Sequence, residues 1–252
     1  MFFESHAHYD DEKFKPDRHE LLERLQQNGI DYVVNVGADM HSSQRSIELA
    51  QNYPFVYAAV GIHPHEAASA TEADIETLEV LCAEKKVVAL GEMGLDYYYE
   101  YSPKETQRNC FTWQLRLAEK IGKPVIIHSR NAAQECFDMI EASKVRNGVV
   151  HCYSGSAEMA LDYIQLGYSL GIGGVITFDK TKKLIQVVEQ VPMEKILIET
   201  DSPYLAPVPN RGARNDSRNL LYIAQKISEI KQIPLEAVAA ISTQNAMRLF
   251  GI

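Results

Sequence analysis

The chain is poor in cysteine: Cys82, Cys110, Cys136 and Cys152 are its only four in 252 residues, and no two form a Cys-x-x-Cys pair. That argues against a disulfide scaffold and suits reduced thiols in the core of a cytoplasmic protein. No apolar run approaches membrane-spanning length, and the opening MFFESHAH has neither the basic stretch nor the apolar core of an export signal. A soluble, unexported chain with no membrane partner is therefore expected. Positive charge is also scarce. The formal net charge of −9 argues against a broad basic surface that grips long nucleic acid through many phosphates. It does not exclude phosphate chemistry, because bound divalent cations and a few arginines can reverse the potential inside one pocket. Low-complexity linkers are missing too, and no glycine-rich phosphate fingerprint follows the first apolar run, which counts against a doubly wound dinucleotide-binding sheet.

What is present is a large hydrophobic fraction, 46%, enough for a substantial core. Apolar runs rich in β-branched residues recur: FFESHAH, DYVVNVG, FVYAAVGIH, KVVALGE, KPVIIH, GVVHCY, YSLGIG and KILIETD. Each leads into a polar or glycine-containing loop, and helical periodicity follows. Asp17 with Glu20 reads as a capping box before the stripe Leu21, Leu22 and Leu25, with Gly29 after the end. Pro103 to Ile121 repeats the logic, with Phe111, Leu115 and Ala118 as the stripe and Gly122 as the stop. Near-continuous apolar strands between helices imply a parallel sheet with helices on its outer face. Eight such units in 252 residues predict an α/β chain of the (β/α)8 TIM barrel type, as one domain over residues 1–252.

A barrel concentrates function at strand C-termini, and the titratable residues obey that rule. His6 and His8 end the first run, one residue apart on the same side of a strand. His63 and His65 end the third, Glu92 the fourth, His128 the fifth, His151 the sixth and Asp201 the eighth. Six of the eight histidines lie at strand ends, whereas His19 and His41 fall on helices. Each taken singly has an ordinary alternative: a frayed His-x-His, a core histidine bonded to backbone, or an aspartate capping a turn. Together, four imidazoles from His6, His8, His128 and His151 and two carboxylates from Glu92 and Asp201 exceed the needs of one tetrahedral zinc. They suit two divalent metal ions bridged by Glu92. Mixed nitrogen and oxygen ligation accepts Zn, Mn, Fe, Ni or Co, with Mg a less natural occupant. Such a pair activates water for hydrolysis, and Asp201 can be both ligand and proton acceptor. Glu199, on the same face as Asp201, is placed to orient a neighbour.

Arg130, Arg211 and Arg214 are candidates for clamping an anion, and His63 and His65 can add donors. The stretch DYYYEY at 96–101 offers rings on which a base could stack, or rings that merely pack the rim.

The motifs SHAHYD, GIHPH, GEMGLDYY, IIHSR, HCYSG, ETDSPYL and RGARN, in that order over nearly the whole chain, resemble the TatD family of metal-dependent deoxyribonucleases. The resemblance implies a cytoplasmic two-metal phosphodiesterase that trims single-stranded DNA or strand ends from 3′ to 5′. It implies that His6, His8, Glu92 and Asp201 hold one metal, and that Glu92, His128 and His151 hold the other. His63 and Arg130 match positions near the scissile phosphate, and Arg214 belongs to the RGARN motif. The chain departs from the family at one place: after Arg214-Asn215 it reads Asp216-Ser217 where Glu-Pro is usual. Losing proline frees the backbone before the next helix, which bears on substrate preference more than on chemistry. Alternatives are a barrel hydrolase of small esters, lactones or amides, a D-aminoacyl-tRNA deacylase, or a non-catalytic scaffold. Glu92 argues against the phosphotriesterase-like branch that bridges its metals with a modified lysine.

Overall fold

The apolar runs become strands throughout the computed structural model, which describes residues 1–252. They are β1 (Phe2–Ala7), β2 (Ile30–Val36), β3 (Val56–Val60), β4 (Val87–Asp96), β5 (Val125–Arg130), β6 (Gly148–Val150), β7 (Ser169–Ile172) and β8 (Ile196–Ile198). Between and after them lie α1 (Arg18–Leu25), α2 (Met40–Asn52), α3 (Glu72–Cys82), α4 (Lys104–Ile121), α5 (Ala133–Ala142), α6 (Ala157–Gln165), α7 (Lys182–Gln190), α8 (Leu220–Lys231) and α9 (Leu235–Phe250). The strands neighbour one another in chain order, β1 to β8, and this is the connectivity of the (β/α)8 barrel. No helix is long and apolar enough to cross a membrane.

Contacts gather the chain into two compact units. Met1–Asn35, Cys152–Gln165 and Ser169–Ile252 make one, and Val36–His151 with Leu166–Tyr168 make the other. In the first, β1 pairs with β2, β7 with β8, and Ala7 forms a parallel bridge to Ser202. Helix α9 covers β1 and β8, where Phe250 stacks on Phe3 at 5.9 Å. Its buried Asn245 donates from Nδ2 to the carbonyls of Met193 and Ile196, which fixes where β8 begins. In the second unit β3, β4, β5 and β6 pair in sequence. Here α4 contributes two fully buried amides seven residues apart on one face. Gln114 bonds both the amide and the carbonyl of Ile62, and Gln107 does the same for Asp96. The helix therefore grips the chain at the ends of β3 and β4, where the chemistry lies.

Local signals were followed with two exceptions. Gly122 closes α4 in the left-handed region, φ 69°, and Gly29 follows a short 3-10 turn with φ 80°. Asp17 is the N-cap of α1 but makes no capping hydrogen bond; its carboxylate accepts both arms of the Arg214 guanidinium instead, a bidentate charged bond that outcompetes a single amide. The sixth strand stops at Val150, and Cys152 lies in a left-handed turn at φ 44°. Strand alternation thus ends before this cysteine. All four cysteines are free, three of them buried.

Replacing Asn245 with Ala strands two buried carbonyls and should lower stability by roughly 2 kcal/mol. We expect a lower urea midpoint at unchanged slope, and a wild-type midpoint would show that the amide is dispensable.

Candidate metal centre

In the first unit the ends of β1 and β8 interlock through backbone bonds. His8 N donates to Ser202 O, and Asp201 N donates to His6 O. Alternation along β1 sends Glu4, His6 and His8 to one side. The Nε2 atoms of His6 and His8 lie 3.2 Å apart, and they stand 3.9 and 3.5 Å from Asp201 Oδ1. Two imidazole nitrogens so close repel unless a proton or cation lies between them, so this donor set fits a metal. Asp201 adopts φ 55°, a left-handed conformation that aspartate tolerates better than most residues. Glu4 is fully buried and accepts from the His6 amide and from the Thr200 amide and hydroxyl. Burial pushes its carboxyl up to about 8 against those donors. Glu199, also fully buried, accepts the Cys152 amide, and only a glycine at 171 leaves space for its carboxylate. The loop after His8 is tied by Arg18, which donates to the carbonyls of Tyr9, Asp10 and Asp11.

In the second unit, Glu92 is 3% exposed and its Oε1 meets three imidazoles. His151 Nε2 lies at 2.6 Å, His128 Nδ1 at 2.8 Å and His63 Nε2 at 3.6 Å. Donor atoms of His63, Glu92 and His128 sit within 4.8 Å of one another, again a donor set that suits a divalent cation. Asp96 supports it from behind: its Oδ2 accepts His128 Nε2 at 3.1 Å and His65 Nε2 at 2.9 Å. When Nε2–H donates to Asp96, a neutral His128 is left with the Nδ1 lone pair that a cation between it and Glu92 would take. Burial would raise the Asp96 carboxyl, but His128, the Tyr99 amide and His65 together hold it well below the usual carboxylate range. His63 is pushed well below its ordinary value by burial and by the neighbouring His128. His128 moves the other way: burial opposes its charge, yet Asp96 and Glu92 outweigh that and raise it. Close approach of β4 to β5 demands Gly94, at φ 144°, since a Cβ there would strike the His128 carbonyl.

His6, His8 and Asp201 thus come together in the first unit, as do Glu92, His128 and His151 in the second. His63 joins the latter group. His65 is engaged by Asp96, and Arg214 gives its guanidinium to Asp17 and to the Lys13 carbonyl. Arg130 has no carboxylate partner and lies over the Tyr98 and Tyr99 rings at 4.2 and 4.7 Å. Asp96 and Glu4 went unnoticed among the candidate site residues. The signal was period two, which puts Asp96 on the face of Glu92 and Glu4 on the face of His6. At the departure from the family motif, the Ser217 amide, which proline would lack, donates to Tyr9 Oη.

Residues 3–251 match the family of TatD related DNases. A metal-dependent hydrolase of Bacillus subtilis, YabD, itself uncharacterised, is 40% identical over the full length of both chains. The 3′-5′ ssDNA/RNA exonuclease TatD of Escherichia fergusonii is 32% identical over 95% of each. The crystal structure of YjjV, a TatD homologue from Escherichia coli, superposes with a TM-score of 0.94 at 31% identity, covering 100% of this chain and 98% of that one.

Replacing Asp96 with Asn removes the charge that orients His128 and should weaken zinc binding about 10- to 100-fold in competition with a chelator. Unchanged affinity would mean that Asp96 does not hold this ligand.

Proposed function

The chain belongs to the TatD related DNase family and is a metal-dependent hydrolase; from that premise we propose that it cleaves phosphodiester bonds of single-stranded DNA or DNA strand ends, from 3′ to 5′. The observation that carries this reading is the buried Glu92 carboxylate facing three imidazoles, with Arg130, on the same strand as His128, a guanidinium laid over tyrosine rings and without a carboxylate partner. A binding scaffold needs no such concentration of ligands, and a hydrolase of neutral esters needs no free guanidinium. The name of the Escherichia fergusonii relative supports nucleic acid as the substrate. The four free cysteines support a reducing, cytoplasmic setting.

In this reading His6, His8, Glu92 and Asp201 hold one divalent ion and Glu92, His128 and His151 the other. Divalent ions there would supply the charge that acidifies water and neutralises a phosphoryl oxygen. Asp201 takes the proton of the attacking water, a role suited to a carboxylate that keeps 16% of its side chain exposed beside His8. Arg130 donates to the non-bridging phosphate oxygens, and His63 adds a hydrogen-bonding group beside Glu92. Asp96 fixes the ring of His128 and, through His65, the wall next to it. Arg214 shapes the loop through Asp17 and meets substrate only if that pair opens.

The test supplies metal-stripped protein separately with Mg²⁺, Mn²⁺ or Zn²⁺ and with single-stranded DNA labelled at its 5′ end, beside Asp201→Asn. We expect a metal-dependent ladder that shortens from the 3′ end, slowed at least about 100-fold in the variant. Intact DNA with every metal, or equal cleavage by both proteins, would overturn the reading and direct attention to small esters and aminoacyl-tRNA.

A further inference from the structure

Between β4 and α4 the chain runs through four tyrosines, and three of them are on the surface: Tyr98, Tyr99 and Tyr101 expose 57, 46 and 68% of their area. They do not pack the rim. Neighbouring aromatic surface left in water usually marks a ligand contact. The segment is also held firmly. Asp96 Oδ1 accepts the amides of Tyr98 and Tyr99, the buried Ser102 hydroxyl donates to the His65 carbonyl, and Gln107 ties the Ser102 carbonyl to that of Asp96. Glu100 turns the chain in the left-handed region, φ 50°, and its carboxylate is neutralised by Lys104 at 3.2 Å.

This framework sets the rings of Tyr99 and Tyr101 parallel, 4° apart in plane with centroids 5.3 Å apart. A base between them would need about 6.8 Å, twice the 3.4 Å rise of stacked bases, so an incoming ring must lie on the outer face. Tyr101 also borders His65, edge to face at 4.8 Å. From there the contacts run His65 to Asp96, Asp96 to His128 and His128 to Glu92, so the aromatic surface adjoins the candidate metal ligands of the same unit.

We propose that Tyr98, Tyr99 and Tyr101, with Arg130 laid over the first two, form a stacking platform that seats the base of the nucleotide next to the cleaved phosphodiester, with Tyr101 as the principal face. The proposal rests on the phosphodiesterase reading and adds how the substrate is gripped. Only unpaired nucleotides present their π-faces, so the platform selects single strands. Stacking on tyrosine accepts any base, so the grip is tolerant of sequence. Arg130 has donors to spare for the phosphate beside a stacked base, which an apolar protein partner would not use.

The test measures fluorescence anisotropy of a labelled single-stranded oligonucleotide with phosphorothioate linkages that resist cleavage, with the divalent metal present, against the same strand with abasic residues. Wild type should prefer the base-bearing strand. Tyr101→Ala should bind that strand about ten-fold more weakly, bind the abasic strand as before, and be rescued by Tyr101→Trp; Tyr99→Ala should behave similarly. Equal loss on both strands, no loss on either, or no binding of either strand by wild type would overturn the platform. So would a Tyr101→Ala protein that differs in oligomeric state by sedimentation, which would assign the surface to a second copy of the chain. The two readings separate cleanly. A wild type that cleaves DNA with variants unaffected removes the platform alone, whereas base-dependent binding without cleavage by any metal removes the nuclease alone.

Discussion

Glu92 is the constraint around which the second unit is organised. A carboxylate only 3% exposed is costly to bury unless its charge is met, and here three imidazoles meet it at one oxygen. Those imidazoles must in turn be held, because a ring that swings away leaves the charge uncompensated. His128 is held by Asp96, and His63 is held through the Ile62 backbone that Gln114 clamps. The next level follows from the same demand: α4 must bury two polar side chains against its own preference for an apolar face, and Gly94 must remain a glycine so that β4 can lie against β5. Stability is thereby spent on holding like groups close together, the arrangement in which a divalent cation is worth most.

The sequence made the barrel legible for a physical reason. Buried parallel strands read as continuous apolar runs, and polar residues at their ends stand out against that background. Glu92, His128 and His151 were visible because each is a titratable residue that breaks or closes an apolar run. Asp96 was hidden because β4 does not end at Glu92 as expected but runs on through the buried Met93 and Leu95 to Asp96. Glu4 was hidden for the opposite reason, lying inside a run that alternation alone could have resolved. The capping box at Asp17 failed because local propensity competes with distant partners. Arg214, 197 residues away in the chain, offers two charged bonds where the local amide offers one. No pattern near Asp17 announces that partner.

The acidic balance of the chain also takes on a structural meaning. Arg24, Arg108, Arg214 and Arg218 each face a carboxylate, at 2.7, 3.4, 2.6 and 2.7 Å respectively. Their charge is spent within the protein, so they add little to any field that would draw a polyanion along the surface. Arg130 differs, resting on tyrosine faces instead of a carboxylate. A cation over a π-face keeps its in-plane donors available, and so remains competent to receive a phosphate without first breaking an ion pair. A protein of net charge −9 gains little from net charge in attracting a polyanion, so short-range contacts carry more of the grip. Stacked rings with one unspent guanidinium offer such contacts, and divalent ions on the adjacent imidazoles and carboxylates would supply the remaining positive charge where the phosphodiester is cut.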